Sequence, residues 1–532
     1  MIKQSFKKIL HKAERGQAII LVAFALIGLV AMVGLVVDTG ILLIEYGKLK
    51  RGVDAAAVAS AQQYRLSGNV LDKTKLENAA RNFLQLNQST DITNVTIHSC
   101  EDAAADRPPL CNPDPVGHPD DNRKLVEVIA SKFVTFGFLR VIGIQGTSIT
   151  ANAVGEAATI DLVLVIDTSA SMAFETDPAA GRPLDSDPLE DPSVCNLNNT
   201  CQPMKAVKDA ALGFIETLYF PYDRVSIVTM TSQNPGGTRG PLEVLALTSN
   251  KATVTAAINN LKVFEPRDCD GTDALGSCLK YNDGTGIFEG TLCQIHQNHY
   301  SEPTADPSSC PSSNVGGALD LARVAFTADP AHTRLDAFWV VVTLLGGPAN
   351  ATNATVTYPN GFCPQYTWTY LWDGRFCQDK HPSTRHDSTD ALVPYTNPVS
   401  NAVFPGGISY YDPDDYARDF ADQLATAITG QGVTIYTIGL GGAIKNTTFS
   451  NDYYQDGITK IPPAEALLQY IAECAGEGID VMTYVSPTAD PICDPVNPPA
   501  INHGQYIYAP NQGSLDSIFA EIAKNIATKI SQ

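Results

Sequence analysis

Residues 159–171 read TIDLVLVIDTSAS. From Thr159 to Ile166 the run is almost wholly apolar and rich in β-branched residues, without alternation between apolar and polar positions. A strand of this kind is covered on both faces, which points to a buried parallel strand in an α/β sheet. The run stops at Asp167-Thr168-Ser169-Ala170-Ser171, a D-x-S-x-S loop. Such a loop at the carboxyl end of a central strand can aim one carboxylate and two hydroxyls at a single point. Crevices at that end are where open α/β sheets bind ligands. Mg²⁺ is a hard, octahedral cation that selects oxygen ligands, so Asp167, Ser169 and Ser171 are candidate metal ligands. Serine and aspartate also cap helices and turns, and the loop alone leaves that reading open.

Strand-like and helix-like segments alternate through the rest of the chain. MKAVKDAALGFIETL (204–218) has the spacing of an amphipathic helix, and DRVSIVTM (223–230), AFWVVVTLLGG (337–347) and GVTIYTIGLG (432–441) read as strands. ALLQYIAECA (466–475) and SLDSIFAEIAKNI (514–526) read as closing helices. The alternation implies a doubly wound, mostly parallel sheet. Together with D-x-S-x-S, the pattern resembles a von Willebrand factor A (VWA) domain, a Rossmann-like α/β fold, carrying a metal-ion-dependent adhesion site. The likeness runs over most of 159–532. VLALTSNKATVTAAINNL (244–261) is similar to the segment where that family places a Leu-Thr ahead of a helix.

The resemblance implies Mg²⁺ or another divalent cation, such as Mn²⁺, bound by three loops. The first is the Asp167 loop. The second usually supplies a threonine; SSNVGGALDLARVAF (312–326) places Ser313 there, and Thr272 in DGTDALG is a competing position. The third usually reads Thr-Asp-Gly. Here Leu345-Gly346-Gly347 occupies it, so Gly346 stands where a carboxylate is usual, with Asn350 nearby. The expected ligand set is Asp167, Ser169, Ser171 and Ser313. One protein carboxylate implies weak intrinsic affinity, with water or a partner's acidic side chain completing the shell.

The chain has 532 residues and a formal charge of −21. Residues 1–51 carry +5, leaving −26 on the remainder. Nucleic acid is not expected as a partner, because phosphate binding needs a basic footprint. From Ala18 to Val37, twenty residues carry no charge, and a helix of that length spans roughly 30 Å of hydrocarbon. Lys3, Lys7, Lys8, Lys12 and Arg15 precede it; Lys48, Lys50 and Arg51 follow. This bias predicts a single-pass membrane protein with a cytoplasmic N-terminus and an extracytoplasmic body.

Twelve cysteines all follow that span: Cys100, Cys111, Cys195, Cys201, Cys269, Cys278, Cys293, Cys310, Cys363, Cys377, Cys474 and Cys493. None forms C-x-x-C, so zinc and redox motifs are poorly supported and disulfides in an oxidising compartment are expected. Sequence order predicts 100–111, 195–201, 269–278, 293–310, 363–377 and 474–493, with exchange open among 269, 278, 293 and 310.

Residues 14–62 resemble the N-terminal module of TadE/TadG-like Flp pilus-assembly proteins. The matching elements are Arg15-Gly16 before the apolar helix, Gly34-x-x-x-Asp38, and Asp54-Ala55-Ala56-Ala57. Such proteins can be cut after a glycine when glutamate stands fifth; after Gly16 that residue is Leu21, so the helix is expected to stay as an anchor. The expected organisation is a basic head (1–15), an anchor helix with its extension (16–66), an α+β spacer (67–158), and a VWA domain (159–532). Insertions fall near 174–203, 265–311 and 351–415. In the spacer, Lys75–Leu86 reads as a helix, while VTIHSC (95–100) and KLVEVIAS (124–131) read as strands.

No G-x-S-x-G, Walker loop or Cys/His dyad occurs, and no enzymatic activity is expected. The expectation is a TadG-like, membrane-anchored protein that acts in Flp pilus assembly or adhesion by metal-assisted binding to pilus components or a surface ligand. The alternative is a structural pilus or envelope scaffold with a decayed metal site.

Overall fold

In the computed structural model, the apolar N-terminal segment is part of one continuous helix, α1 (Ile2–Ala61). The structure describes residues 2–64, 66–67, 70–86, 92–111, 123–173, 192–231, 240–264, 271–272, 278–281, 288–291, 313–329, 333–335, 337–349, 351–353, 381–389, 393–396, 403–408, 411–427, 432–445, 450–493 and 502–530. Two compact units are present, Met1–Ala158 and Thr159–Gln532.

In the first unit, α1 is long and apolar enough to cross a membrane. Ile19, Leu21, Phe24 and Leu29 are exposed along it. Further on, the same helix becomes a packing surface. Helix α2 (Lys73–Leu86) lies against it with Leu76, Ala80 and Leu84 buried at four-residue spacing on one face. An antiparallel sheet of β1 (Ile92–Ser99), β2 (Lys124–Thr135) and β3 (Gly146–Ala157), in that order, completes the unit. Leu49, Val53, Ala56 and Ala57 of α1 are buried, as are Val126, Val128 and Ala130 of β2. Lys132 on β2 donates to Glu45 (2.6 Å), and Lys50 donates to the Asn152 carbonyl on β3 (2.6 Å). A disulfide joins Cys100 and Cys111.

The small residues at 54–57 have a structural reason. A Cβ on Gly155 would fall 2.2 Å from the Ala57 carbonyl oxygen, so helix and strand backbones meet where no side chain fits. Backbone is the obstacle, so the contact cannot be relieved by a rotamer change. Gly155→Val is expected to cost about 3 kcal/mol or more by forcing α1 off β3. Limited proteolysis should then cut between α1 and the sheet; an unchanged digest would refute this contact.

The second unit is built on a six-stranded sheet. Its strands are β4 (Ile160–Ile166), β5 (Arg224–Thr229), β6 (Leu242–Thr248), β7 (Phe338–Leu345), β8 (Thr434–Leu440) and β9 (Tyr506–Ala509). The order is β9-β8-β7-β4-β5-β6, with β6 antiparallel to β5 and all other pairs parallel. Successive residues of β4 serve opposite cores. Leu162, Leu164 and Ile166 pack with α3 (Met204–Ile215), α4 (Lys251–Asn259) and α8 (Leu515–Ile530) through Val207, Phe214, Val254, Ile258, Phe519 and Ile522. Val163 and Val165 pack with α5 (Val315–Thr327), α6 (Pro413–Ala425) and α7 (Pro463–Gln469) through Leu319, Ala322, Ala421, Leu424, Leu467 and Leu468. Each of these fully buried aliphatic side chains contributes roughly 1.5–3 kcal/mol, which is why the run is apolar throughout.

Two elements were not named from the sequence. Helix α6 begins at Pro413, at the end of the insertion placed near 351–415. Asp412 caps it in a reciprocal capping box with Asp415, so the Pro/Asp-rich composition marks a helix start. Strand β9 was not anticipated at all; four residues, YIYA, are too short to carry a periodic signal. Helix α7 ends in a wide turn at Tyr470–Cys474.

Disulfides Cys195–Cys201 and Cys474–Cys493 are present in this unit. Cys269, Cys293, Cys310, Cys363 and Cys377, and the side chain of Cys278, lie outside the described residues. Cys474–Cys493 spans 19 residues and should contribute about 3 kcal/mol by restricting the unfolded chain. Beside it, burial pushes the Glu473 carboxyl up to about 7, although Oε1 accepts the Tyr506 N–H at 3.0 Å. Its other oxygen, Oε2, is buried with no hydrogen-bond partner among the described residues. Between the ordinary glutamate range and pH about 7, the folded chain holds a proton that the unfolded chain has released. Stability therefore falls as pH rises through that window. Glu473→Gln is expected to flatten this slope and to stabilise the chain at pH 8, by at most roughly 1.4 kcal/mol per unit of the shift. Urea melts of parent and variant across the window check this; parallel profiles would contradict it.

Candidate metal centre

The chain leaves β4 for β5 and β6 on one side, then returns through α5 to β7 on the other side of β4. The carboxyl ends of β4 and β7 therefore form the switch point of the sheet, where connections diverge and a crevice opens. Register places Ile166 beside Leu344. The Asp167 N–H donates to the Leu344 carbonyl at 2.9 Å, which sets the first loop directly against the third.

Asp167 is fully buried. Its Oδ1 accepts the Ser169 N–H at 2.9 Å and its Oδ2 accepts the Gly346 N–H at 3.0 Å. The Ser313 hydroxyl lies 3.4 Å from both carboxylate oxygens. The structure thus brings Asp167, Ser169, Ser313 and Gly346 together from three loops. Ser169 and Ser313 are themselves buried. Ser171 falls in the turn Ala170–Ala173, with its side chain outside the described residues, as are the side chain of Thr272 and all of Asn350. Thr168 turns away; its hydroxyl is 2.8 Å from that of Thr231 beyond β5.

The electrostatics are one-sided. Burial pushes the Asp167 carboxyl up, opposed by the Ser169 and Gly346 N–H groups and by the serine hydroxyls. Among the described residues, Asp167 makes no ion pair with lysine, arginine or histidine, and its donors Ser169, Ser313 and Gly346 are neutral. A buried carboxylate without an opposite charge is costly, and a divalent cation would relieve it. One carboxylate with serine hydroxyls fits a hard, oxygen-seeking ion such as Mg²⁺ and fits zinc's nitrogen and sulfur preference poorly. Among the described residues, no set of three or more His, Cys, Asp and Glu side chains converges to hold a metal. A cation here would therefore depend on hydroxyls and water.

Two residues that sequence reasoning passed over stitch the loops. Asn314 caps α5 by accepting the Gly317 N–H at 2.9 Å, and its amide donates to Asn353 Oδ1 at 2.9 Å. Asn353 is the described third-loop residue beside α5. The position of Asn314 ahead of an apolar-periodic segment was a readable N-cap signal. Gly316 admits α6, since a Cβ there would lie 2.4 Å from the Tyr416 ring.

No protein-family model and no curated protein matches the chain. Several solved structures do. The pilus adhesin SpaC from Lactobacillus rhamnosus GG is 13% identical, with a TM-score of 0.32, over 77% of this chain and 34% of the adhesin. The PilB minor pilin from Streptococcus sanguinis is 12% identical, with a TM-score of 0.31, over 82% of this chain and 78% of the pilin. The vWF domain of the type V pili tip protein Mfa5 from Porphyromonas gingivalis is 14% identical, with a TM-score of 0.31, over 71% of this chain and 97% of that domain.

Proposed function

We propose that the chain is a membrane-anchored VWA protein that binds a protein partner through a divalent cation at Asp167, in Flp/Tad-type pilus assembly or surface adhesion. One observation carries this reading. The carboxylate of Asp167 is buried at the switch point of the sheet, with neutral donors and hydroxyls around it and no ion-pair partner among the described residues. Asp167, Ser169, Ser171 and Ser313 would hold the cation, which would supply a Lewis-acidic point for an acidic side chain of the partner. Because the chain contributes one carboxylate, net positive charge stays on the ion and attracts an anion. Asp167, Ser169 and Ser313 are buried together before any ion is bound. The anchor is supported by the apolar helix α1 and by the Arg15-Gly16, Gly34–Asp38 and Asp54–Ala57 elements.

A structural scaffold with a decayed site is the second reading, favoured by the glycine at 346. Cells displaying the full chain separate the two. Adhesion or pilus yield should fall on chelation, recover with Mg²⁺, and fall equally in Asp167→Ala. Pili and adhesion indifferent to both treatments would favour the scaffold.

A further inference from the structure

We propose that the tip joining β2 to β3, residues 137–145, is a second membrane-inserted element that enters the bilayer beside α1. This rests on the reading of α1 as a membrane span. Between Arg15 and Glu45, Asp38 is the only charged residue. On sequence alone it ends the apolar run. In the fold its carboxylate is enclosed and accepts backbone N–H groups from Gly137 (2.7 Å), Phe138 (3.0 Å) and Leu139 (2.7 Å). The tip is clamped to the helix one turn higher as well, where a Cβ on Gly34 would lie 2.8 Å from Phe138 Cβ.

With Asp38 covered, the apolar surface of α1 continues past it through exposed Leu43 and Ile44 to Tyr46. The tip extends that surface sideways. Val141 is 85% exposed and Ile142 72%, and Phe138 and Ile144 are each 47% exposed. Four apolar side chains presented to water on one short turn are unfavourable, and they sit at the level of the apolar helix itself. Their backbone is spared much of the usual cost of entering lipid. The turn Leu139–Ile142 is a 3-10 helix whose first N–H, from Leu139, is taken by Asp38 along with those of Gly137 and Phe138 just before it, and Gly143 (φ 94°) closes it by donating its N–H to the Arg140 carbonyl. Arg140 is exposed on the same turn, placed to reach lipid phosphates while the apolar side chains insert. Tyr46, Lys48 and Lys50 follow on α1, an aromatic and basic set suited to the interface. The partner is thus a lipid surface. A wedge of this kind would fix the tilt and rotation of the anchor.

The test uses the full chain in vesicles of phosphatidylcholine and phosphatidylglycerol with brominated acyl chains, which quench tryptophan at depth. Ile142→Trp and Val141→Trp place the probe on the tip, Phe24→Trp in the span, and Val154→Trp at the far end of β3. Each is read as the difference from the parent. The expected result is loss of emission and a blue shift at positions 24, 141 and 142, with neither at 154. Quenching at 24 without quenching at 141 and 142 would overturn the proposal and leave the span standing. Absence of quenching at 24 would overturn the span and the wedge with it.

Discussion

Asp161→Ala is expected to lower the unfolding free energy of the chain by about 3–5 kcal/mol, a large part of the stability of an ordinary domain. Asp161 sits at the start of β4 and is almost fully buried. Arg224, opposite it on β5, donates to it through Nε at 2.9 Å and Nη2 at 2.5 Å. Arg334, ahead of β7, also donates to it, and its Nη1 reaches the Tyr222 carbonyl at 2.8 Å. The one aspartate therefore ties β4, β5 and the segment leading into β7 at the end of the strands opposite Asp167. Its removal takes away the buried carboxylate that both guanidinium groups share, which costs more than the pair interactions alone. Adding Arg334→Leu should restore part of the loss, because one of the stranded cations is then gone. Chemical denaturation of the single and double variants measures this. A loss under about 1 kcal/mol for Asp161→Ala would mean that water reaches the cluster.

Gly346→Asp is expected to tighten Mg²⁺ or Mn²⁺ binding by roughly tenfold or more, since a second carboxylate near a divalent ion contributes several kcal/mol before desolvation is subtracted. The Gly346 N–H already faces Asp167 Oδ2 at 3.0 Å, which places residue 346 beside that carboxylate. Two carboxylates at this point repel when no cation lies between them. The variant should therefore melt below the parent in chelator and above it in millimolar Mg²⁺, because ligand binding to the folded state raises its stability. Melting below the parent under both conditions would show that no cation bridges position 346 and Asp167.

Much of this architecture was legible in the sequence because local and global signals agree. The run before Asp167 is apolar on every face because β4 lies between two helical layers, and its loop falls at the switch point. The long apolar helix was legible from its length. Three cysteine pairs follow sequence order because each closes a short segment, 11, 6 and 19 residues apart. Other features depend on distant partners. Nothing local to Asp38 shows that a turn 100 residues later supplies its hydrogen bonds, so it read as the end of the apolar segment. Gly155 reads as an ordinary strand glycine until Ala57 is placed against it. Helix α6 was obscured by its own start, where Asp412-Pro413-Asp414-Asp415 has the composition of a loop and the geometry of a cap. Gly346 was identified as a missing carboxylate, but its use as a backbone donor to Asp167 follows only from the pairing of β4 with β7.

If Asp167 anchors a divalent cation, calorimetric titration of the full-length chain with Mg²⁺ and Mn²⁺ will detect it. One weak site per chain is expected in the parent, binding either ion, with no measurable heat of binding at that site in Asp167→Ala, the variant otherwise folded. An Asp167→Ala chain that binds either ion as well as the parent would show that the cation is not held at Asp167.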